Sequence, residues 1–276
     1  MTPPLWTSPR TGSAVWQADA LDVAAGLPEG CASLAVLDGP YGVGKAEWDR
    51  IPRGGCLADL YRPHLEAVGR LCAPSATLYL WNTAGGWAEL HAEMLQRGWA
   101  YRALVVWHKP DPPSGLGWAT ARGWLDNHEV CGVYVRGAPP FAPPGPGQYA
   151  VWTHSVSALS KEQIKADAQV PHRQRGTPIT PALHPCQKPL AFAERIIRAS
   201  SRPGDTVWVP FGGTLRELVA AEQMARAEPE QARRVLTCEL NADGVDYIGP
   251  ALAQADGRGL LAPGQVGLFG AAGGAR

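Results

Sequence analysis

The sequence predicts an α/β fold: a single domain built on a doubly wound, mostly parallel sheet. Short apolar segments typical of strands alternate with longer segments in which apolar residues recur at helical spacing. This strand–helix alternation places helices on both faces of a parallel sheet. The chain has 276 residues, 45% of them hydrophobic and 18% charged, which suits a folded protein with a full core.

The first half of the chain carries five short apolar runs that predict strands. They lie at residues 13–19, 32–37, 76–81, 101–107 and 129–135. A turn is expected at residues 27–30, between the first two strands. Helical spacing of apolar residues predicts a helix over 57–71, with Pro63 bending its first turns. A second helix is predicted from about Trp87 to Gly98.

The second half begins with a break in regular pattern. Residues 138–147 are rich in proline, and residues 150–183 are polar with a local excess of Lys and Arg, so we interpret 138–183 as an insertion. It separates two halves of one domain, residues 13–137 and 184–256. The later half predicts a helix from Pro189, a strand at 205–209, a helix near 215–225, a strand at 235–239 and a helix from 242. Residues 1–12 are expected to be a flexible N-terminus and 257–276 a disordered tail.

Composition excludes several classes of function. The six cysteines are scattered without a Cys-x-x-Cys pair, so no metal or redox site is predicted. The net charge of zero disfavours a strongly basic nucleic-acid binder but leaves room for a local basic groove. No run of eighteen apolar residues and no signal pattern is present, so we expect no membrane contact and a cytoplasmic location.

The string Asp38-Gly39-Pro40-Tyr41 follows the apolar run 34–37, so it is expected at the carboxyl end of a strand, where open parallel sheets bind ligands. A carboxylate and a backbone carbonyl that accept both hydrogens of an exocyclic amine localise the nitrogen lone pair. An aromatic ring beside them can stack on an extruded base. Because Asp, Gly and Pro also form ordinary turns, a plain loop is the alternative interpretation.

The string His184-Pro185-Cys186-Gln187-Lys188-Pro189 opens a predicted helix. The N-terminus of a helix favours an anion, and Lys188 adds a positive charge there. Glu239 ends a predicted strand, a position from which a carboxylate can hold the two hydroxyls of a ribose. The alternative for the lysine string is a capped helix start with an incidental lysine.

Together and in this order, the two strings resemble those of the permuted, beta-class S-adenosylmethionine-dependent amino-methyltransferases. The usual family strings are Asp-Pro-Pro-Tyr and His-Pro-Thr-Gln-Lys-Pro, and the resemblance spans about residues 15–250. It implies a Rossmann-like methyltransferase fold, S-adenosylmethionine as methyl donor, and DNA as the substrate. RNA is the less favoured substrate. Asp at position 38, where cytosine enzymes more often have Ser, favours adenine N6 over cytosine N4.

The resemblance also assigns roles to residues. Asp38 accepts a proton of the target amine, the Gly39 carbonyl is the second acceptor, Pro40 completes the string, and Tyr41 stacks on the base. Lys188 binds the donor's methionine carboxylate. The strings Trp107-His108-Lys109-Pro110 and His128-Glu129 resemble family strings that flank the target-base pocket. The full donor-binding set that the resemblance implies is Asp19, Lys188, Pro210, Phe211, Gly212, Gly213, Glu239 and Asn241.

Several positions depart from the family pattern. Gly39 replaces a proline, Val209 replaces an aspartate, and Arg216 replaces a threonine. Leu215 replaces a glycine, so it is expected to bring a side chain to where the backbone usually approaches the donor, which lowers donor affinity. These changes motivate a second hypothesis, a catalytically silent relative that binds nucleic acid or a partner methyltransferase.

The tail contains Gln265-Val266-Gly267-Leu268-Phe269, which resembles the Gln-x-x-Leu-Phe peptide that docks bacterial DNA enzymes on the replication sliding clamp. Gln265, Leu268 and Phe269 are the predicted anchors. The basic stretch 161–175 is predicted either to contact phosphates or to be a solvated loop. Because the chain is small, a homodimer or a clamp tether is expected to prolong its residence on DNA.

Overall fold

The computed structural model describes residues 2–44, 49–51, 54–110, 124, 126–142, 149–155, 187–240 and 251. Within these ranges the strands are β1 (Trp6–Thr7), β2 (Ala14–Trp16), β3 (Ala32–Leu37), β4 (Cys72–Asn82), β5 (Ala100–His108), β6 (His128–Arg136), β7 (Val151–Thr153), β8 (Thr206–Val209) and β9 (Arg234–Cys238). The helices are α1 (Ala20–Gly26), α2 (Leu57–Leu71), α3 (Ala84–Gln96), α4 (Leu190–Ser200) and α5 (Arg216–Ala227), with a 3-10 turn at Pro229–Gln231.

The strands form one sheet in the order β1-β2-β9-β8-β3-β4-β6-β5-β7. The run from β2 to β4 is parallel, which confirms the predicted mostly parallel sheet. Strand β6 is antiparallel to both β4 and β5. Its first residues therefore lie at the same edge of the sheet as the last residues of its neighbours.

Helices cover both faces of the sheet, as the doubly wound prediction requires. On one face, α4 and α5 pack on apolar side chains of the central strands, with Phe192 and Leu218 at the contact. On the other face, α1, α2 and α3 contribute Val23, Leu65 and Leu90 to a second apolar layer. The buried residues of α2 recur every three or four positions, which is the spacing that predicted this helix.

Three elements of the structure were not predicted. Helix α1 is only seven residues long and begins at Asp19, whose side chain caps it by accepting from the Leu21 N–H at 2.7 Å. Strand β1 lies within residues 1–12, where we expected flexibility, and pairs with β2. Strand β7 lies in the region expected to be irregular and forms the parallel edge beside β5.

Some predictions fall outside the described residues, namely the helix from residue 242, the tail 257–276, and most of the insertion. Among the residues that the structure describes, no helix combines the length and the apolar character that a membrane crossing requires.

Candidate active site

A cavity of about 300 Å³ opens at the carboxyl edge of the sheet. Its walls are the segments that follow β2, β3, β8 and β9, together with Gln187 and Lys188. The predicted site residues that line it are Asp19, Asp38, Gly39, Pro40, Tyr41, Lys188, Pro210, Phe211, Gly212, Gly213 and Glu239. Asn241 lies outside the described residues. Parallel strands thus bring to one place residues that are separated by up to about 220 positions in the chain.

At one end of the cavity, five side chains form a buried charge network: Asp38, Tyr41, Lys109, Glu129 and Lys188. The Lys188 ammonium lies 2.8 Å from Asp38 Oδ1 and 3.1 Å from Glu129 Oε2. Lys109 pairs with the other oxygen of Glu129. The Tyr41 hydroxyl is 3.0 Å from Asp38 Oδ1 and 2.9 Å from Glu129 Oε2, so it can donate its one proton to either carboxylate.

The network is electrically balanced, with two carboxylates facing two ammonium groups. Burial alone would raise the pKa of Glu129, but Lys188 and Lys109 outweigh it and lower that pKa to about 2. Burial would likewise lower the pKa of Lys188, and Asp38 and Glu129 reverse the effect and raise it. Burial and the same two carboxylates raise the pKa of Tyr41 well above its usual value. Glu129 is therefore ionised, Lys188 is protonated and Tyr41 is neutral at pH 7.

The loop that carries Tyr41 is held by Asp49. Its carboxylate accepts from the backbone N–H groups of Tyr41 at 2.6 Å and Gly42 at 2.9 Å. The Tyr41 ring is only 9% exposed and has the Lys188 ammonium 5.3 Å from its centroid. The ring and the backbone beside Asp38 are therefore fixed before any ligand arrives.

Gly39 is explained by close packing. A Cβ at this position would lie 2.7 Å from the Phe211 ring and 2.8 Å from the Tyr61 hydroxyl, which real Cβ atoms do not tolerate. The proline that the family string carries at this position would meet the same two side chains. In this chain, Phe211 and Tyr61 occupy the space that a larger residue would need.

The other end of the cavity is built from the loop after β8 and the end of β9. The Glu239 carboxylate accepts from the Gly213 N–H at 2.7 Å, and the Gly212 N–H donates to the Cys238 carbonyl at 2.7 Å. Gly213 has φ +48, a left-handed conformation that suits glycine. These bonds fix the backbone of the glycine loop against the strand that ends in Glu239.

Two rings form a wall at this end. Phe211 lies against His64 of α2 with ring centroids 4.7 Å apart, and both line the cavity. Burial lowers the pKa of His64, so its ring is neutral at pH 7. A neutral, flat and partly apolar wall suits an uncharged aromatic ligand such as a nucleobase.

Leu215 adopts φ +55, the left-handed conformation that a glycine would take more easily. Its side chain is 1% exposed and packs in the apolar layer of α4 and α5. The expectation that this side chain would intrude on the donor is therefore wrong, because it turns away from the cavity. Val209 is likewise buried in that layer.

Two residues of this site, His64 and Glu217, were not predicted. Lys109 and Glu129 were predicted only as parts of strings that flank the target-base pocket, and the structure places both in the charge network with Asp38. Glu129 and Lys109 stand at the facing ends of β6 and β5, where the register pairs Glu129 with Trp107. No local pattern places Glu129 beside Asp38, because the start of β6 reaches this edge of the sheet only through its antiparallel pairing with β4 and β5. His64 and Glu217 lie in helices with no motif around them. Within the described residues, no group of three or more metal-ligating side chains is present.

Known proteins that are similar to this chain are DNA methyltransferases. The N6/N4 methyltransferase family model, described as DNA methylase, matches residues 32–250. The type II methyltransferase M1.MboII of Moraxella bovis is 25% identical over 255 residues, covering 80% of this chain and 89% of the relative.

Solved structures show the same fold. The PvuII DNA methyltransferase, named as cytosine-N4-specific, superposes with a TM-score of 0.69 at 16% identity, covering 91% of this chain and 88% of that one. The M1.HpyAVI structure, solved as a complex with SAM, gives a TM-score of 0.58 at 16% identity, with 86% and 98% covered. These likenesses confirm the predicted methyltransferase-type α/β architecture.

Proposed function

We propose that this chain, which belongs to the N6/N4 family of DNA methylases, methylates adenine N6 in DNA with S-adenosylmethionine as the donor. The observation that carries the proposal is the position of Asp38. Its carboxylate lines the same cavity as the glycine loop and Glu239, so the group that would hold the target amine faces the site that would hold the donor.

The residues of this chain supply the acceptor chemistry directly. Asp38 accepts one hydrogen of the exocyclic amine and the Gly39 carbonyl accepts the other, so the nitrogen lone pair points at the methyl group. The new C–N bond forms as the C–S bond of the donor breaks, and the bonding pair stays on sulfur. The amine proton then passes to Asp38 or to water. Lys188, 2.8 Å from Asp38 Oδ1, holds that carboxylate in place for this step.

The donor end fits S-adenosylmethionine in shape and in chemistry. A cavity of about 300 Å³ is of the size that small ligands occupy. Phe211 and His64 offer a flat wall for the adenine, and Glu239 ends its strand where a carboxylate can take the ribose hydroxyls. When bound there, the donor supplies an activated methyl group on a sulfonium.

Adenine is favoured because Asp stands at position 38. Cytosine N4 is the second candidate, since the PvuII enzyme with the same fold is cytosine-N4-specific by name and the chemistry at the amine is the same. A catalytically silent relative is disfavoured, because the charge network around Asp38 is complete and Leu215 leaves the cavity clear.

The test is nucleoside mass spectrometry of DNA and RNA from a methylation-free bacterial host that expresses the protein. We expect N6-methyladenine in DNA with the wild type and none with Asp38→Ala. The matched control is Asp22→Ala, which removes an exposed acid from α1 and should leave methylation intact. N4-methylcytosine instead would establish the second candidate, and unmodified DNA together with no donor binding would establish the silent relative.

We also propose that the tail docks on the sliding clamp through Gln265, Leu268 and Phe269, which lie outside the described residues. Replacing Leu268 and Phe269 together by alanine should abolish capture of the purified clamp while methylation of short duplexes continues. Equal capture by both proteins, or none by the wild type, would contradict it. A homodimer would appear as a doubled solution mass.

A further inference from the structure

Five acidic side chains line the cavity, and four of them are engaged by the protein itself. Asp38 pairs with Lys188, Asp49 accepts from the Tyr41 loop, Glu239 accepts from Gly213, and Asp19 caps α1. The fifth is Glu217. Among the residues that the structure describes, no other residue donates a hydrogen bond to its carboxyl or forms an ion pair with it.

Glu217 is in the first turn of α5, where the helix points into the cavity. The residue is 9% exposed and lines the cavity. Its carboxyl accepts from its own backbone N–H, and a buried carboxyl with no partner from another residue is costly unless a ligand supplies one. Burial first, and the negative Asp38 second, raise the pKa of Glu217 to about 7, while its own backbone N–H, Lys188 and Arg216 act against that rise.

The position of Glu217 relative to Asp38 defines what that ligand group would be. Glu217 lines the same cavity as Asp38 and Lys188, and the charges of both act on its pKa. In the donor, the α-ammonium of the methionine portion is only a few bonds from the sulfonium that reacts beside Asp38. The α-ammonium of a bound donor would therefore lie in the cavity that the Glu217 carboxyl lines.

We infer that Glu217 binds the α-ammonium group of the methyl donor. The acidic residue of the family pattern around the glycine loop is an aspartate. In this chain Val209 stands in its place and is buried in the core. Glu217, eight residues further on, supplies a carboxylate to the cavity from the next helix. This inference rests on the proposed function, because it presumes that the cavity takes S-adenosylmethionine.

Calorimetric titration with two ligands tests the inference. S-adenosylmethionine carries the ammonium, and 5′-methylthioadenosine shares its adenosine portion but lacks the amino-acid end. Glu217→Gln should weaken S-adenosylmethionine about tenfold, the loss expected for one hydrogen bond between charged groups. It should leave 5′-methylthioadenosine within about twofold of the wild type. The matched variant Glu239→Gln, at the ribose end, should weaken both ligands by the same factor.

The outcomes distinguish the role of Glu217 from the binding of S-adenosylmethionine in the cavity. Equal weakening of both ligands by Glu217→Gln, or no weakening of either, would overturn the inference and leave the proposed function standing. Failure of the wild type to bind either ligand would overturn the proposed function itself.

A ligand-side measurement covers the case in which Glu217→Gln folds poorly. The deamino analogue of S-adenosylhomocysteine should bind the wild type about tenfold more weakly than S-adenosylhomocysteine does. A difference under twofold would overturn the inference without any substitution in the protein.

Discussion

Glu129 and Glu217 are both buried glutamates that feel the charge of Lys188, yet their surroundings differ. Glu129 is contacted by Lys188, Lys109 and the Tyr41 hydroxyl, and its pKa falls to about 2. Glu217 faces the cavity without a hydrogen-bonding partner from any other described residue, and burial raises its pKa to about 7. The difference indicates that Glu129 has its partners within the protein alone, whereas Glu217 is open to a partner from a ligand in the cavity.

The largest effect on stability is expected from breaking the charge network around Asp38 and Glu129. Lys188→Met removes the cation that Asp38 and Glu129 share and leaves Lys109 as the one remaining cation of the network. Because breaking a buried ion pair is costly, the free energy of unfolding should fall by about 3–5 kcal/mol. Urea denaturation at pH 7.5 measures this loss, and the control is Arg198→Met, which breaks the half-exposed ion pair with Glu194. A loss under about 1 kcal/mol would show that the network is not as tightly coupled as its distances suggest.

The next effect concerns pH and has opposite signs at the two glutamates. The folded-state pKa of Glu217 is above its ordinary value of 4.5, so the folded state holds a proton that the unfolded chain has released. The stability that this proton contributes is full below pH 4.5 and is lost as pH rises through about 7. At about 1.4 kcal/mol per pKa unit, the loss is on the order of 3 kcal/mol. Glu129, with a lowered pKa, contributes stability above pH 4.5 that is lost only as pH falls toward 2.

Urea denaturation of the wild type and Glu217→Gln from pH 5 to pH 8 isolates the first of these contributions. The stability of the variant, relative to that of the wild type, should increase with pH across this window. Burial lowers the pKa of His64 in both proteins alike, so its contribution cancels in the difference. Parallel curves would show that Glu217 is not protonated in the folded state.

A smaller effect is expected at the boundary between the two ends, where Gly39 contacts Phe211. Gly39→Ala should lower the free energy of unfolding by about 1–3 kcal/mol, since its Cβ would overlap the Phe211 ring. The matched change is Gly69→Ala in α2, where a Cβ meets nothing within 4 Å and helix propensity predicts a gain of about 1 kcal/mol. Thermal unfolding of both variants measures these changes. If Gly39→Ala leaves the free energy of unfolding unchanged, the Phe211 ring moves aside without cost.

The sequence was sufficient for the parallel part of this fold and for the residues that follow its strands. Asp38 and Glu239 could be placed because each directly follows a strand of that sheet, whereas Asp19 was placed by the family resemblance. Glu129 could not, because the direction of β6 depends on long-range pairing that no local pattern records. Glu217 could not, because an acid in the first turn of a helix is ordinarily explained by the helix dipole alone.

For Lys188, the sequence predicted the position of the side chain but not its partners. Its motif indicated a cavity residue and a positive charge, and the structure does place it there. Its immediate partners are Asp38 and Glu129, which lie 150 and 59 positions away in the chain. Whether a lysine is open to an anionic ligand or already occupied by carboxylates is decided by that packing, and the role assigned to Lys188 in donor binding remains a prediction.

Strand β2, near the start of the chain, lies beside β9, near its end, with Trp16 opposite Cys238 and the Glu239 N–H bonded to the Trp16 carbonyl at 2.9 Å. A ribosome that adds about 5–20 residues per second needs roughly 10–40 s to pass from Asp19 to Glu239. During that interval β2 has β1 but not β9 to pair with, while Asp38 and Glu129 are both synthesised. The nascent chain thus contains the acids of the charge network well before Glu239 can complete the opposite wall of the cavity.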